Sequence, residues 1–372
     1  MSTETSTLEF AVTPASHVMA PEQRERLLAD PGFGRIFTDH MVSIDWTRDR
    51  GWHNARLTGY APLQLDPGVM VLHYAQEVFE GLKAFRQADG GIAAFRPDMN
   101  AARFRRSARR LALPELPEGV FIEAIDRFLA IDGAWVPSAP EHSMYLRPFM
   151  FASEVGLGVR PSSEVKFLLI GSPSGSYFAS GVKPVTVWLS EDFSRAAPGG
   201  TGDAKTGGNY AGGLLAQAQA AEQGCDQVVW LDSHEHRWVE EMGGMNLCFV
   251  FGSGRNARLL TPALTGTLLP GVTRDSLLKL ATDLGYKAEE GKISTEEWRA
   301  GCADGSLTEV FACGTAAVIT PVGAVKSTNG SWMVGDGKPG EISMRLRKAL
   351  VDIQRGVAPD THHWLHLVPT SR

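Results

Sequence analysis

The residues best placed to do chemistry lie in GGTGDAKTGGNYAGG, Gly199 to Gly213, a run with a single lysine, Lys205, among seven glycines. Glycine has no Cβ and tolerates positive φ, so such a run lets the chain, or a ligand, approach closely around that amine. Two phosphate-related chemistries use a lysine presented this way: a P-loop, and a Schiff-base lysine on an aldehyde cofactor. The P-loop spacing fits from Gly199 to Lys205 and Thr206, except that Ala204 stands at the second glycine. Its context does not fit. The nearest strand candidate, VKPVTVWLS, ends near Ser190, and Gly207 and Gly208 follow the lysine where a helix should begin. A plain flexible loop is the third reading.

A phosphorylated pyridine aldehyde asks four things of a protein: an amine, an acid partner for the ring nitrogen, donors for the phosphate, and a dock for the substrate carboxylate. Lys205 supplies the first. Glu241, in EMGGMN, is a carboxylate followed by a tight glycine turn; its neighbour Glu240 falls on the opposite face by strand alternation. Taken alone, each reads first as a solvated hairpin carboxylate. In LLPGVTRDSLL the amides of Val272 and Thr273 stand where an amphipathic helix begins, and such N-termini favour anions, although most bind none. Arg103 is the first of several arginines on one helix, a pattern also expected of a solvated basic face. The turn CGTAA, Cys313 to Ala317, offers amides between two apolar strands, as any β-turn would.

These groups need elements to hold them. Up to about residue 174 the pattern is α+β: a helix at PEQRERLLAD, strands at RIFTDHMVSID and GWHNARL, a strand pair over GVMVLHYAQEVFEGLKAFR and GIAAFRP, helices at NAARFRRSARRLAL and FIEAIDRFLAIDGAWV, then strands at SMYLRPFMFASE and KFLLIG. SPSGSYFASG reads as a linker, which places a first domain at 1–174, a linker at 175–185 and a second, larger domain with the lysine at 186–372. That second part has a helix at GLLAQAQAAEQG, a hairpin through SHEH, a buried strand NLCFVF, a helix after Pro270 and Gly271, a strand-turn-strand at EVFACGTAAVITPV and a last helix at EISMRLRKALVDIQRG.

Composition sets the outer bounds. With 372 residues, 43% hydrophobic and 21% charged, the chain can bury a sizeable core. A net charge of −6 without a basic run argues against a nucleic-acid surface. The four cysteines form no CxxC pair and no zinc spacing, which reads as reduced thiols in a cytoplasmic protein. No signal peptide or membrane-length apolar run is expected.

Taken together, GTGDAKTGGNY, EMGGMNL, LLPGVTRDSLL and EVFACGTAAVITPV, preceded by HYAQEVFEGLKAFR and SMYLRPFMFASE, resemble the branched-chain amino acid aminotransferases, pyridoxal-phosphate enzymes of fold-type IV. The likeness runs from Phe33 almost to the C-terminus. It implies a two-domain, D-amino-acid-aminotransferase-like α+β fold, a homodimer, pyridoxal 5′-phosphate as cofactor, and reversible amino transfer between Leu, Ile or Val and 2-oxoglutarate. By the same resemblance Lys205 is the Schiff-base lysine, Glu241 the partner of the ring nitrogen and Tyr210 the partner of the phenolic oxygen. Arg103, the Val272 and Thr273 amides and Thr315 would hold the phosphate, and the Thr315 and Ala316 amides the substrate carboxylate. Phe33, Phe79, Tyr145 and Tyr177 would wall the side-chain pocket, Arg147 would serve the acidic co-substrate, and Tyr74, Leu157 and Val159 would reach in from the other subunit. Two departures stand out. Ala317 and Thr320 replace the CxxC pair of animal relatives, leaving Cys313 as the thiol beside the turn, and Gly244 replaces a threonine, which opens the pocket floor. Other members of the fold, a P-loop nucleotide binder and a non-catalytic binding module are the rivals.

Overall fold

The computed structural model describes residues 8–175 and 181–369. The chain divides into two compact units, one of Met1–Tyr177, Ala204–Gly207 and Ile353–Arg372, the other of Phe178–Asp203 and Gly208–Asp352.

In the first unit, strands β1 (Phe10–Thr13), β2 (His40–Thr47), β3 (Gly51–Gly59), β4 (Glu77–Phe79), β5 (Leu82–Arg86), β6 (Ile92–Phe95), β7 (Ser143–Ala152) and β8 (Glu164–Ser174) lie in one largely antiparallel sheet, ordered β1-β3-β2-β8-β7-β5-β6, with β4 paired to β7. Helices α1 (Pro21–Ala29), α2 (Met70–Tyr74), α3 (Pro97–Arg110) and α4 (Glu118–Asp132) accompany it. Proline in its first turn and arginines in its last suit α3 to helix termini. Its buried residues Asn100, Ala101, Arg103, Phe104, Ser107 and Ala108 recur at three- and four-residue spacing, so Arg103 and Ser107 share the inward face. Phe104, Phe121 and Phe167 pack with ring centroids 5.5–6.4 Å apart at the centre of this core. The expected strand over GVMVLHYAQEVFEGLKAFR is corrected: Met70–Tyr74 is a helical turn closed by Ala75 at φ 49°, and the rest forms two strands, Glu77–Phe79 and Leu82–Arg86.

The second unit holds β9 (Val185–Ser190), β10 (Gln227–Leu231), β11 (Val239–Met242), β12 (Met245–Phe251), β13 (Arg258–Pro262), β14 (Lys287–Gly291), β15 (Leu307–Gly314), β16 (Val318–Ser327) and β17 (Gly330–Met333). Their order is β11-β10-β9-β16-β15-β12-β13-β14, with β17 on β16 and β11 also paired to β12. Along the chain run α5 (Gly207–Ala211), α6 (Leu214–Glu222), α7 (Val272–Asp283), α8 (Thr295–Asp304) and α9 (Glu341–Gln354). Phe249, Trp298 and Trp332 meet edge to face in this core, at 5.2 and 5.9 Å. After α9 the chain returns to the first unit, where β18 (Leu365–Leu367) pairs antiparallel with β6. The lysine segment 204–207 and the stretch from Ile353 group with the first unit, where they form hydrogen bonds.

The hairpin between β10 and β11 is organised by one carboxylate. Asp232 accepts the amides of His234 and Glu235 on Oδ2 and those of Arg237 and Trp238 on Oδ1. Burial opposes its ionisation, but those four amides outweigh it and hold the carboxyl down to about 2. A depressed folded-state pKa adds stability that is complete above the unfolded value near 4 and is lost as pH falls toward 2. Asp232→Ala should cost about 1–2 kcal/mol at pH 7. In urea titrations the gap between variant and wild type should narrow from about pH 4 and close near pH 2; a gap that stays constant across that range would refute this role.

Candidate active site

In the first unit, the four residues Ala204–Gly207 are held from several sides. The Lys205 amide donates to Ser107 Oγ at 2.9 Å, and its carbonyl accepts the Phe79 amide at 3.0 Å. Beyond it the Gly207 amide donates to Glu77 Oε1, joined by Thr206 Oγ1 at 3.4 Å. The lysine Nζ stands 4.8 Å from the centroid of the Phe79 ring. Below it lies a buried ion pair: Arg103 Nε and Nη2 donate to the two oxygens of Glu80 at 2.7 and 2.8 Å, and Asn100 Nδ2 adds a third bond at 2.7 Å. Burial opposes the Glu80 charge, yet Arg103, then Lys205 and Asn100, hold its carboxyl below the ordinary range. The basic-face alternative for Arg103 is thereby excluded. Glu77 and Glu80 carried no signal in a single sequence.

Beside this stands a cavity of about 350 Å³ lined by Phe33, Phe37, Tyr145, Arg147, Ile170 and Ser172 with neighbouring glycine backbone. Phe33 meets Tyr145 edge to face at 5.1 Å. The Arg147 guanidinium lies 4.9 Å from the Phe79 ring and 5.4 Å from the Tyr145 ring, and its Nη2 donates to the tyrosine hydroxyl at 3.2 Å. Its buried Nε has no hydrogen-bond partner among the described residues. Phe33, Phe79, Tyr145 and Arg147 thus lie together. A Cβ at Gly81 would fall 2.0 Å from the Tyr145 hydroxyl, so that position must be glycine for the ring to lie there. Tyr177 lies outside the described residues. Tyr74, Leu157 and Val159 form a separate exposed patch, where the Tyr74 hydroxyl donates to the Leu157 carbonyl and Val159 is 82% exposed.

The second unit carries the remaining residues. Register places Glu241 opposite Asn246, and Asn246 opposite Cys313 on the next strand. Glu241 is buried, not the solvated hairpin carboxylate that its sequence context also allowed. Its Oε1 accepts the Leu269 amide at 2.6 Å and Asn246 Nδ2 at 3.2 Å, while Oε2 pairs with Arg195 Nε at 3.0 Å. Arg195, which no motif marked, also donates to the carbonyls of Gly202 and Thr267 at 3.1 and 2.8 Å. It ties the glycine loop to the segment entering α7. A Cβ at Gly202 would lie 2.4 Å from the Thr267 carbonyl oxygen, so this glycine serves a close backbone approach. The loop neck is closed by Asn209, which meets Thr201 Oγ1 at 2.6 Å and its carbonyl at 2.7 Å. Glu240 is also buried; Thr267 Oγ1 donates to it, and burial raises its carboxyl.

Val272 and Thr273 open α7 after Gly271, and no side chain caps the helix, so its first amides and dipole suit an anion. Thr315 and Ala316 lie in the half-buried turn between β15 and β16, which Val318 closes at φ 63°, a costly conformation for a β-branched residue. Cys313, beside that turn, shares an S–H contact with Cys248; that contact and burial push its thiol well above the usual range, away from a reactive thiolate. Gly244 faces Tyr210: a Cβ there would sit 3.0 Å from the ring. Gly244→Thr should therefore displace the tyrosine by a few tenths of an ångström or more and weaken cofactor retention roughly threefold to tenfold, read by equilibrium dialysis. Unchanged retention would mean that the ring does not rest on this glycine.

Comparison with known proteins identifies the family. The family described as amino-transferase class IV matches residues 77–325. A branched-chain-amino-acid aminotransferase of Mycolicibacterium smegmatis is 63% identical over 359 residues, 96% of this chain and 98% of that protein. Among solved structures, the branched-chain amino acid aminotransferase of Escherichia coli superposes with TM-score 0.68 at 28% identity, over 88% of this chain and 99% of that one. A T.th. branched-chain amino acid aminotransferase with pyridoxamine 5′-phosphate gives 0.72 at 27% identity, with the same coverage.

Proposed function

The chain belongs to the class IV aminotransferases, within them to the branched-chain-amino-acid aminotransferases, and from that premise we propose that it transfers the amino group reversibly between L-leucine, L-isoleucine or L-valine and 2-oxoglutarate. The cofactor is pyridoxal 5′-phosphate. When bound, it supplies an aldehyde that takes up the amino group and a cationic ring that delocalises the electron pair left at Cα.

The donor set suits that group. Lys205 offers the amine, over Phe79 on a segment fixed at both ends, and once released it can move the proton at Cα. Glu241 is a buried carboxylate for the ring nitrogen, oriented by Leu269 and Asn246, and Tyr210 a hydroxyl for the phenolic oxygen. The uncapped start of α7 at Val272 and Thr273, with Arg103 and Thr315, would hold the phosphate. The Thr315 and Ala316 amides would take the substrate carboxylate. Tyr177 joins the pocket walls in this proposal, as do Gly244 for the floor and Tyr74, Leu157 and Val159 as contributions across a homodimer. A division near 174 and 186, with a cytoplasmic location, completes it. Among the described residues no helix is long and apolar enough to cross a membrane.

One observation carries the substrate assignment. The cavity beside Phe79 is apolar on most of its wall, yet holds one guanidinium, Arg147, whose buried Nε has no partner among the described residues. Such a pocket accepts a branched aliphatic side chain and also the second carboxylate of glutamate. Borohydride treatment of the cofactor-loaded protein, followed by peptide mapping, should label Lys205. L-Leucine should be preferred over D-alanine with 2-oxoglutarate; the reverse preference would overturn the substrate assignment.

A further inference from the structure

We propose that Glu77 is a positioning residue for Lys205, fixing the peptide that follows the lysine so that its amine keeps one bearing over Phe79. The proposal rests on Lys205 being the reacting amine. Glu77 and Phe79 are two apart on β4, so their side chains leave the strand on one face. That strand engages the lysine segment twice. Phe79 gives its amide to the Lys205 carbonyl, and Glu77 accepts the Gly207 amide together with the Thr206 hydroxyl. With Ser107 Oγ on the Lys205 amide, peptides both before and after the lysine are anchored. Removing the Glu77 anchor leaves the segment tethered only at and before the lysine, and the side chain then swings with its own peptide.

Gly207 supports this independently. It does not adopt positive φ, so its backbone does not call for glycine. A Cβ there would instead fall 2.5 Å from Glu77 Oε1. The absence of a side chain at 207 is what allows the carboxylate to reach the amide. Burial, the largest influence on Glu77, raises its carboxyl, while the Gly207 amide, Thr206 hydroxyl and Arg147 favour the anion. Glu80, Arg103 and Lys205 are the other charged groups of this neighbourhood.

The test uses cofactor-free full-length protein mixed with pyridoxal phosphate, following growth of the visible band and borohydride labelling of Lys205. Exchange of the Gly207 amide is measured without cofactor, and thermal midpoints are recorded for every variant. Glu77→Ala should slow band formation by about 10- to 100-fold and expose the Gly207 amide to exchange, the effect expected of an ångström-scale misplacement. Glu77→Gln keeps an acceptor for that amide and should restore the rate to within about threefold. Gly207→Ala, which blocks the contact from the other side, should slow the rate about tenfold alone but less than about twofold in the Glu77→Ala background. Wild-type rates in Glu77→Ala, or effects of the two alanines that simply multiply, would overturn the role of Glu77 alone. Should Glu77→Ala fail to fold, a normal rate in Gly207→Ala would overturn it equally. Absence of any band in the wild type would bring down the aminotransferase reading and this proposal with it.

Discussion

Lys205→Ala should fold with an unchanged thermal midpoint and lose turnover by about 10⁴-fold or more. The fold should survive because the segment is held by backbone groups and neighbours: the Lys205 amide and carbonyl, the Gly207 amide and the Glu77 carboxylate all lie outside the deleted atoms. What is lost is the amine above Phe79, with its attraction to the ring face and to Glu80. Lys205→Arg separates charge from chemistry. The guanidinium keeps the cation but is neither a nucleophile nor a proton carrier near neutral pH, so it should be as inactive as alanine. Small primary amines added to Lys205→Ala should recover a few per cent of the rate, in order of their basicity, if the missing function is proton transfer. Measurable wild-type turnover in either variant would remove Lys205 from the reaction.

Much of the site was legible because its local patterns carry their own physics. The start of α7 follows from Pro270, Gly271 and an amphipathic run, and the strand-turn-strand around Thr315 from two apolar stretches flanking small residues. Lys205 stood out as one amine among glycines. Arg195 was not legible, because nothing in FSRAAPGG reveals that its guanidinium meets Glu241, Gly202 and Thr267, all distant or unremarkable in sequence. Glu77 and Glu80 were hidden for the same reason: their partners lie 130 and 23 residues away. The helical turn Met70–Tyr74 has too few residues for a period of 3.6 to show against the strand pattern around it. The docking of Leu365–Leu367 on β6 depends on pairing with Ala93–Phe95, at the far end of the chain, which no local propensity encodes.

Glu241→Gln should lower turnover by about 100- to 1,000-fold while cofactor affinity stays within about tenfold. The amide oxygen of glutamine can still accept from Leu269 and Asn246, so the side chain keeps its place. Its negative charge is gone, and with it the anion that, in the proposed role, would favour a protonated ring nitrogen. Arg195 is affected separately. Its side chain is 5% exposed, and Glu241 is the carboxylate paired with its Nε, so the substitution leaves a buried guanidinium short of a counter-charge. Removing one member of such a pair destabilises by about 3–5 kcal/mol. Glu241→Ala should be worse on that account, since it also leaves the Leu269 amide without its acceptor. The two losses can be pulled apart with Arg195→Met. Joined to Glu241→Gln, it should recover much of the thermal midpoint, because no lone charge remains, yet return none of the turnover. If turnover recovered along with stability, Glu241 would be a structural partner of Arg195 rather than the ring's acid, and another group would have to supply the proton.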